Sequence, residues 1–293
     1  MLIATLIAAD QLKKGELSSA TDRLAAAGAQ IDRVGEITDG KAVDIYFDGN
    51  LMAARGALFI EGAAIDFVVQ PQQNREKKLL ISDMDSTMIT VECIDELAGY
   101  AGIKDQIAEI TERAMLGELD FEEALRGRVA LLAGLDLSAI DKCLDEKVRV
   151  MPGAKILVQT MAARGAKTIL VSGGFTRFAD PVARDIGFAS VEANILEEAA
   201  GSLTGKLTGS VVDAQRKAKL LQHSAQSAGL SLDQCMAVGD GANDIPMIAL
   251  AGMGVAYHAK PKAAAAADVA IHHNDLSALL YIQGIGSRDW VVS

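Results

Sequence analysis

Cysteine is scarce in this chain of 293 residues: there are three, Cys93, Cys143 and Cys235, widely spaced and in no CxxC or Cys/His cluster. That pattern indicates neither a zinc site nor a disulfide framework, and a reducing cytoplasm is the expected compartment. No stretch reaches the roughly 18 to 20 apolar residues of a membrane span. The opening "MLIATLIAADQLKKGE" is apolar, but no basic segment precedes the apolar run, so a signal peptide is not expected. Positive charge is also short. Against 39 Asp and Glu stand 28 Lys and Arg, a formal net charge of -11. Nucleic acid and anionic membranes reward a basic face, so neither is an expected partner. A small anionic substrate is not excluded, because a local site can be positive on a negative protein. Aromatics make up 4% of a chain that is 50% hydrophobic. Ala, Leu, Ile and Val must build the core, which suits helices packed on a parallel sheet.

Two characters alternate along the chain. Residues 1 to about 72 read as a small unit: strand "LIATLIA", helix "ELSSATDRLAAAGA", strands "IDRVGEI" and "AVDIYF" around the turn "TDGK", helix "NLMAARGALF" started by Asn50, and strand "AIDFVV". The order βαββαβ is a ferredoxin-like α+β pattern. "QPQQNREKK" then reads as a polar linker. From residue 78 to 293, strands alternate with helices, which specifies an α/β fold around a doubly wound parallel sheet. A charged, mostly helical stretch, about 91–150, interrupts that alternation after the first core strand and is expected to form a helical cap. "SLTGKLTGSV" reads as a small hairpin.

Ligands of such sheets bind beyond the carboxyl ends of the strands, and the polar residues cluster there. "LLISDMDST" drives an apolar run into Asp83 and Asp85, which share a face if the strand continues. Two carboxylates so close repel, and burial raises the cost, so something cationic or reactive is expected between them. "VSGG" ends another strand with Ser172 and Gly173, material for backbone N–H groups to approach a phosphate. "VGDGAND" ends a third with Asp240, Asn243 and Asp244 among glycines. Taken singly, each is also an ordinary turn or helix cap. Together they supply oxygen ligands without sulfur or imidazole, which favours Mg²⁺. A carboxylate can attack phosphorus, and a neighbouring carboxyl can protonate the leaving oxygen and then deprotonate water.

"DMDST", "VECIDELA", "LRGRVALLAGL", "VSGGF", "DAQRKAK" and "VGDGANDIPM", in that order over about 78–283, resemble the haloacid dehalogenase-like phosphatases, and within them the phosphoserine phosphatases of serine biosynthesis. The resemblance implies Asp83 as nucleophile and Asp85 as general acid/base. It implies Ser172, Gly173 and Asn243 as substrate or phosphate contacts, and Lys217, rather than the nearby Lys219, as the neutralising lysine. Asp83, Asp240 and the backbone carbonyl of Asp85 would hold Mg²⁺, with Asp244 in support. For O-phosphoserine, Glu92 would meet the ammonium and Arg128 the carboxylate, arginine being suited to bidentate pairing. Met115 and Phe121 would form an apolar wall. The first unit resembles an ACT-type regulatory domain, and three roles stand open for it: amino-acid binding, homodimer formation, or stabilisation of the chain. Two other readings of the whole remain in play: a phosphotransferase to another alcohol such as homoserine, and a non-catalytic amino-acid-binding regulator.

Overall fold

The computed structural model describes residues 1–58, 64–115 and 118–292, the side chain of Met115 excepted. The chain begins β1 (Leu2–Ala8), α1 (Lys14–Ala26), β2 (Gln30–Thr38), β3 (Ala42–Asp48), α2 (Leu51–Leu58) and β4 (Ile65–Pro71). These strands form an antiparallel sheet in the order β2-β3-β1-β4. The expected βαββαβ order is therefore present. Asn50 starts α2 as expected, its side chain accepting from Ala53 N–H at 3.0 Å. Alternation along β1 sends Ala4 and Leu6 toward α1 and α2, where they meet Leu24 and Leu58. Ile7 faces the other way and joins the core of the rest of the chain.

The segment expected as a linker is anchored. Arg75 grips both oxygens of Asp44, at 2.6 and 2.7 Å, and Lys77 is buried with its ammonium on the carbonyls of Asn74 and Asp233. A polar, proline-containing composition was the signal for a linker, and it does not distinguish a solvated chain from one whose charges are paired.

The second sheet starts with β5 (Leu79–Ser82). Then come α3 (Cys93–Ala101), α4 (Lys104–Met115), α5 (Phe121–Ala130) and α6 (Ser138–Lys147), the expected helical insertion. The alternation resumes with α7 (Ala154–Ala163), β6 (Lys167–Phe175), α8 (Thr176–Ile186), β7 (Ser190–Ala199), β8 (Ser202–Thr208) and α9 (Ala214–Ser227). It ends with β9 (Cys235–Gly239), α10 (Ile245–Leu250), β10 (Met253–Tyr257), α11 (Pro261–Ala266), β11 (Val269–Ile271) and α12 (Ala278–Ile282). The sheet order is β11-β10-β9-β5-β6-β7-β8, parallel except for the edge strand β8. Both faces are covered, as a parallel sheet requires. Leu80, Leu170 and Val238 face one apolar cluster with α7, α8 and α12; Leu79, Ile81 and Ala237 face another with α9 and α10.

One expected element is different. "SLTGKLTGSV" is not a hairpin in itself: Ser202–Thr208 is one strand, paired with β7. β7 went unread because its glutamates, Glu192, Glu197 and Glu198, break the apolar pattern along a strand near the sheet edge.

Strand order reverses at β5, which lies between β6 and β9 although it precedes both in sequence. The crevice beyond β5, β6 and β9 is where such a sheet places its ligand site.

Candidate active site

Asp83 follows β5 directly, its N–H still bonded to the Val238 carbonyl at 2.9 Å. The chain then turns sharply, with Met88 N–H closing on the Met84 carbonyl at 2.8 Å. Ser86 takes a left-handed φ of 55° in this turn, unusual for a residue with a Cβ. That conformation accompanies a bond from its hydroxyl to the Glu92 carboxylate at 2.6 Å, where the cap begins.

Lys217, on α9, is fully buried and places its ammonium 2.6 Å from Asp83 and 2.8 Å from Asp244. Lys219 is exposed, and Arg216 pairs with Glu192 at the surface. Of the neighbouring cations expected to compete for this role, only Lys217 reaches the carboxylates. Burial alone would pull the Lys217 ammonium toward neutrality, but Asp83 and Asp244 outweigh it and hold the ammonium above its ordinary value. Asp83 is pushed well up, by burial first and then by Asp244, with Lys217 opposing.

Asp240 closes the group. Ligand oxygens of Asp83, Asp240 and Asp244 lie within 4.8 Å of one another. Three carboxyl groups face one ammonium, so once ionised they carry more negative charge than Lys217 can cancel. Burial and Asp244 raise Asp240 to about 6. A divalent cation would cancel the excess charge, and an all-oxygen donor set suits a hard one, so these residues fit such an ion.

Asp85 stands beside them. Its Oδ1 is buried with no hydrogen-bond partner among the described residues, and burial first, then Glu92, pushes its carboxyl up to about 7. A Cβ on Gly174 would lie 3.0 Å from both Asp85 Oδ2 and Ser172 Oγ, so the glycine lets the strand end approach the carboxyl. Ser172 Oγ accepts from Gly174 N–H at 2.8 Å. Gly239 is needed for a similar reason, since any Cβ there would collide with the Asp244 carboxylate.

The cap residues are less closely gathered. Phe121 brings its ring edge within 3.2 Å of where a Gly173 Cβ would be, and is otherwise exposed. Arg128, in the last turn of α5, is drawn down by burial and held up by Asp95 and Glu92. Among the described residues its one hydrogen bond runs to the Ala124 carbonyl at 3.4 Å, which leaves most of the guanidinium for another acceptor. Asn243 sits against Gly241 in the turn that carries Asp244. The side chain of Met115 lies outside the described residues.

Two residues went unrecognised in the sequence. Thr87 donates to Asp240 at 3.3 Å and is fully buried; its place in "DMDST" was a usable signal. Asn194 bonds both the Ser172–Gly174 strand end and the approach to α9, and a lone amide in an unread strand gave no signal.

A model of the haloacid dehalogenase-like hydrolases matches residues 80–249. The chain belongs to that family. A phosphoserine phosphatase of Streptomyces coelicolor is 42% identical over 270 residues, which are 90% of this chain and 66% of that protein. The unliganded crystal structure of a probable phosphoserine phosphatase from Vibrio cholerae superposes with a TM-score of 0.80 at 34% identity, covering 98% of this chain and 88% of that one. A phospho-aspartyl intermediate analogue of a phosphoserine phosphatase gives a TM-score of 0.65 at 37% identity, over 70% of this chain and 98% of that one. As a family member the chain is an enzyme of the hydrolase and phosphatase class. Among the described residues no helix is long and apolar enough to cross a membrane, and the three cysteines are free and buried.

Proposed function

We propose that this enzyme hydrolyses O-phospho-L-serine to L-serine and phosphate, with Mg²⁺ bound and an aspartyl-phosphate on Asp83 as intermediate. The observation that carries the reading is a single cluster: a buried lysine spans Asp83 and Asp244, next to a third aspartate, Asp85, whose inner oxygen is unpartnered among the described residues.

In the first step a carboxylate oxygen of Asp83 forms a bond to phosphorus as the bond to the serine oxygen breaks. Asp85 hands its proton to that leaving oxygen. Asp85, now ionised, takes a proton from water, whose oxygen attacks the phosphorus and releases phosphate from Asp83. Lys217 neutralises charge on Asp83 and the phosphoryl group throughout. Ser172, its Oγ held by the Gly174 N–H, orients the phosphoryl oxygens with the Gly173 amide, and Asn243 adds a contact from the opposite turn. Asp83, Asp240 and Asp244, with the Asp85 backbone carbonyl, would hold Mg²⁺, which supplies charge neutralisation at the transferring phosphoryl group. Thr87 steadies Asp240.

Glu92 and Arg128 supply the anion and cation that a phosphorylated amino acid needs beyond its phosphate, and Phe121 is part of the wall. We assign residues 78–293 to the phosphatase domain, with the cap at about 91–150. Residues 1–72 form a separate ACT-type domain in this reading, which its βαββαβ order and antiparallel sheet support.

Phosphate release from a panel of small esters tests the proposal. Phosphoserine should be preferred, EDTA should abolish turnover, and Mg²⁺ should restore it. Arg128→Ala should lower kcat/KM for phosphoserine by a factor corresponding to about 2 to 5 kcal/mol, as when one partner of a desolvated charge pair is removed. An ester without a carboxylate should change little. Equal losses on every ester would refute the specificity assignment.

A further inference from the structure

The ladder between β6 and β7 breaks at the phosphate-binding strand end. Val171 pairs with Glu192 and Phe175 pairs with Asn194, with a register shift between them. Ser172, Gly173 and Gly174 lie in that gap, where regular strand pairing does not fix the backbone. Asn194 takes over. Its Nδ2 donates to the Gly173 carbonyl at 2.8 Å. Its Oδ1 accepts from Val212 N–H, also at 2.8 Å. The side chain is 3% exposed, so water does not compete well for either bond.

Both ends of this clamp lead to groups of the site. The Gly173 carbonyl and the Gly174 N–H belong to one peptide unit, and a planar trans peptide points them in opposite directions. No peptide bond among the described residues is cis. Holding the carbonyl back toward β7 therefore aims the Gly174 N–H at Ser172 Oγ and the site. At the other end, Val212 precedes Asp213, which caps α9 by accepting from Arg216 N–H at 2.7 Å. One turn into that helix comes Lys217, whose N–H bonds the Asp213 carbonyl at 3.0 Å. One amide side chain thus links the strand end that carries Ser172 to the start of the helix that carries Lys217.

We propose that Asn194 is a positioning residue for phosphoryl binding, holding the Gly173–Gly174 peptide in register with the start of the helix that carries Lys217. The inference rests on the proposed function, because it takes the strand end and Lys217 as the phosphoryl site. It extends that reading to a residue outside the signature motifs that touches neither substrate nor cation.

The test uses the full chain with Asn194→Asp and Asn194→Ser. Asp retains the acceptor for Val212 N–H but opposes an oxygen to the Gly173 carbonyl. Ser is too short to reach both partners. The measured quantities are KM for phosphoserine, the inhibition and calorimetric binding constants of inorganic phosphate, and calorimetric Mg²⁺ affinity without substrate. KM and both phosphate constants should rise at least tenfold in each variant, while Mg²⁺ affinity stays within threefold. KM and inhibition constants do not depend on how much of the protein is folded, so a mere stability defect would lower only the maximal rate. That last pattern, with phosphate constants within twofold of the parent, would overturn the proposal. A parent that binds phosphate but does not hydrolyse phosphoserine would refute the substrate reading, and its phosphate affinity would still decide the role of Asn194.

Discussion

At the scale of single residues, the site gathers charge of one sign and buries it. Asp85 is raised to about 7 and Asp240 to about 6, in both cases by burial before any neighbouring charge. An unfolded aspartate titrates near 3.9, so the fold binds these protons more tightly than the open chain does. Their contribution to stability is complete below the unfolded value and is lost as pH rises through about 6 to 7. Cation-free protein should therefore melt at falling temperature between pH 5 and pH 8, and Mg²⁺ should recover much of the loss at pH 8. Asp85→Asn, which has no proton to lose, should show a shallower slope in the same melting series. An identical slope would mean that Asp85 is not the group responsible. The same substitution should cut kcat by about 10² to 10⁴, the usual worth of general acid–base catalysis. Asp83→Asn should do more: no hydroxylamine-sensitive phosphate should accumulate on the protein, since the amide is a poor nucleophile.

At the scale of elements, the strand ends carry the residues assigned to the chemistry, and the turn after each one holds them in place. β9 delivers Asp240, and the next turn returns Asp244 against Gly239 so closely that no side chain fits there. Gly239→Ala should push Asp244 off both Lys217 and the other carboxylates. The expected result is at least a tenfold loss of Mg²⁺ affinity by calorimetry; unchanged affinity would place the cation elsewhere. The elements that carry the site were legible because their pattern is simple: short apolar runs, buried on both faces, ending in Asp, Ser or Gly. β5, β6 and β9 all read that way. β7 did not, because one edge of the sheet is partly solvated and its glutamates look like a loop or helix face. Asn194 was illegible for another reason: it acts through hydrogen bonds to Gly173 and Val212, and composition around it says nothing of those partners. Thr87 could be picked out by its place in "DMDST", but its partner Asp240 could not. Arg75 and Lys77 misled in the same way, since their partners Asp44 and Asp233 are distant in sequence.

At the scale of the whole molecule, every residue assigned to chemistry lies between Asp83 and Asp244, yet the first sheet is not merely tethered. Asp66, only 2% exposed, accepts from the backbone N–H groups of His272, His273 and Asn274 and from the Asn274 side chain. Gln70 and Arg75 both donate to the Ile282 carbonyl, and Ile7, Ala42 and Val68 join the apolar cluster of α7, α8 and α12. Removing residues 1–72 would strip Asp44 from Arg75, a pair whose side chains are 4% and 12% exposed, and expose that apolar surface. Uncovering buried aliphatic side chains costs about 1.5 to 3 kcal/mol each, and each kcal/mol lowers the melting temperature of a chain this size by roughly 2 to 4 °C. The truncated protein should melt on the order of 10 °C lower. Its folded fraction should retain KM for phosphoserine, because no residue proposed to meet the substrate has been removed. There is one route by which it could fail. The loop held by Asp66 also supplies the Asn274 carbonyl that meets His258 Nε2 at 3.1 Å, and Lys260, two residues on, donates its N–H to the Asp240 carbonyl at 3.0 Å. Calorimetric Mg²⁺ affinity separates the two cases. Unchanged affinity with a lower melting temperature would mean that the first sheet only stabilises the fold. Weakened affinity in a folded truncation would mean that it also steadies Asp240, and Asp66→Asn in the full chain should then reproduce part of that loss. An unchanged melting temperature would contradict the interface as described.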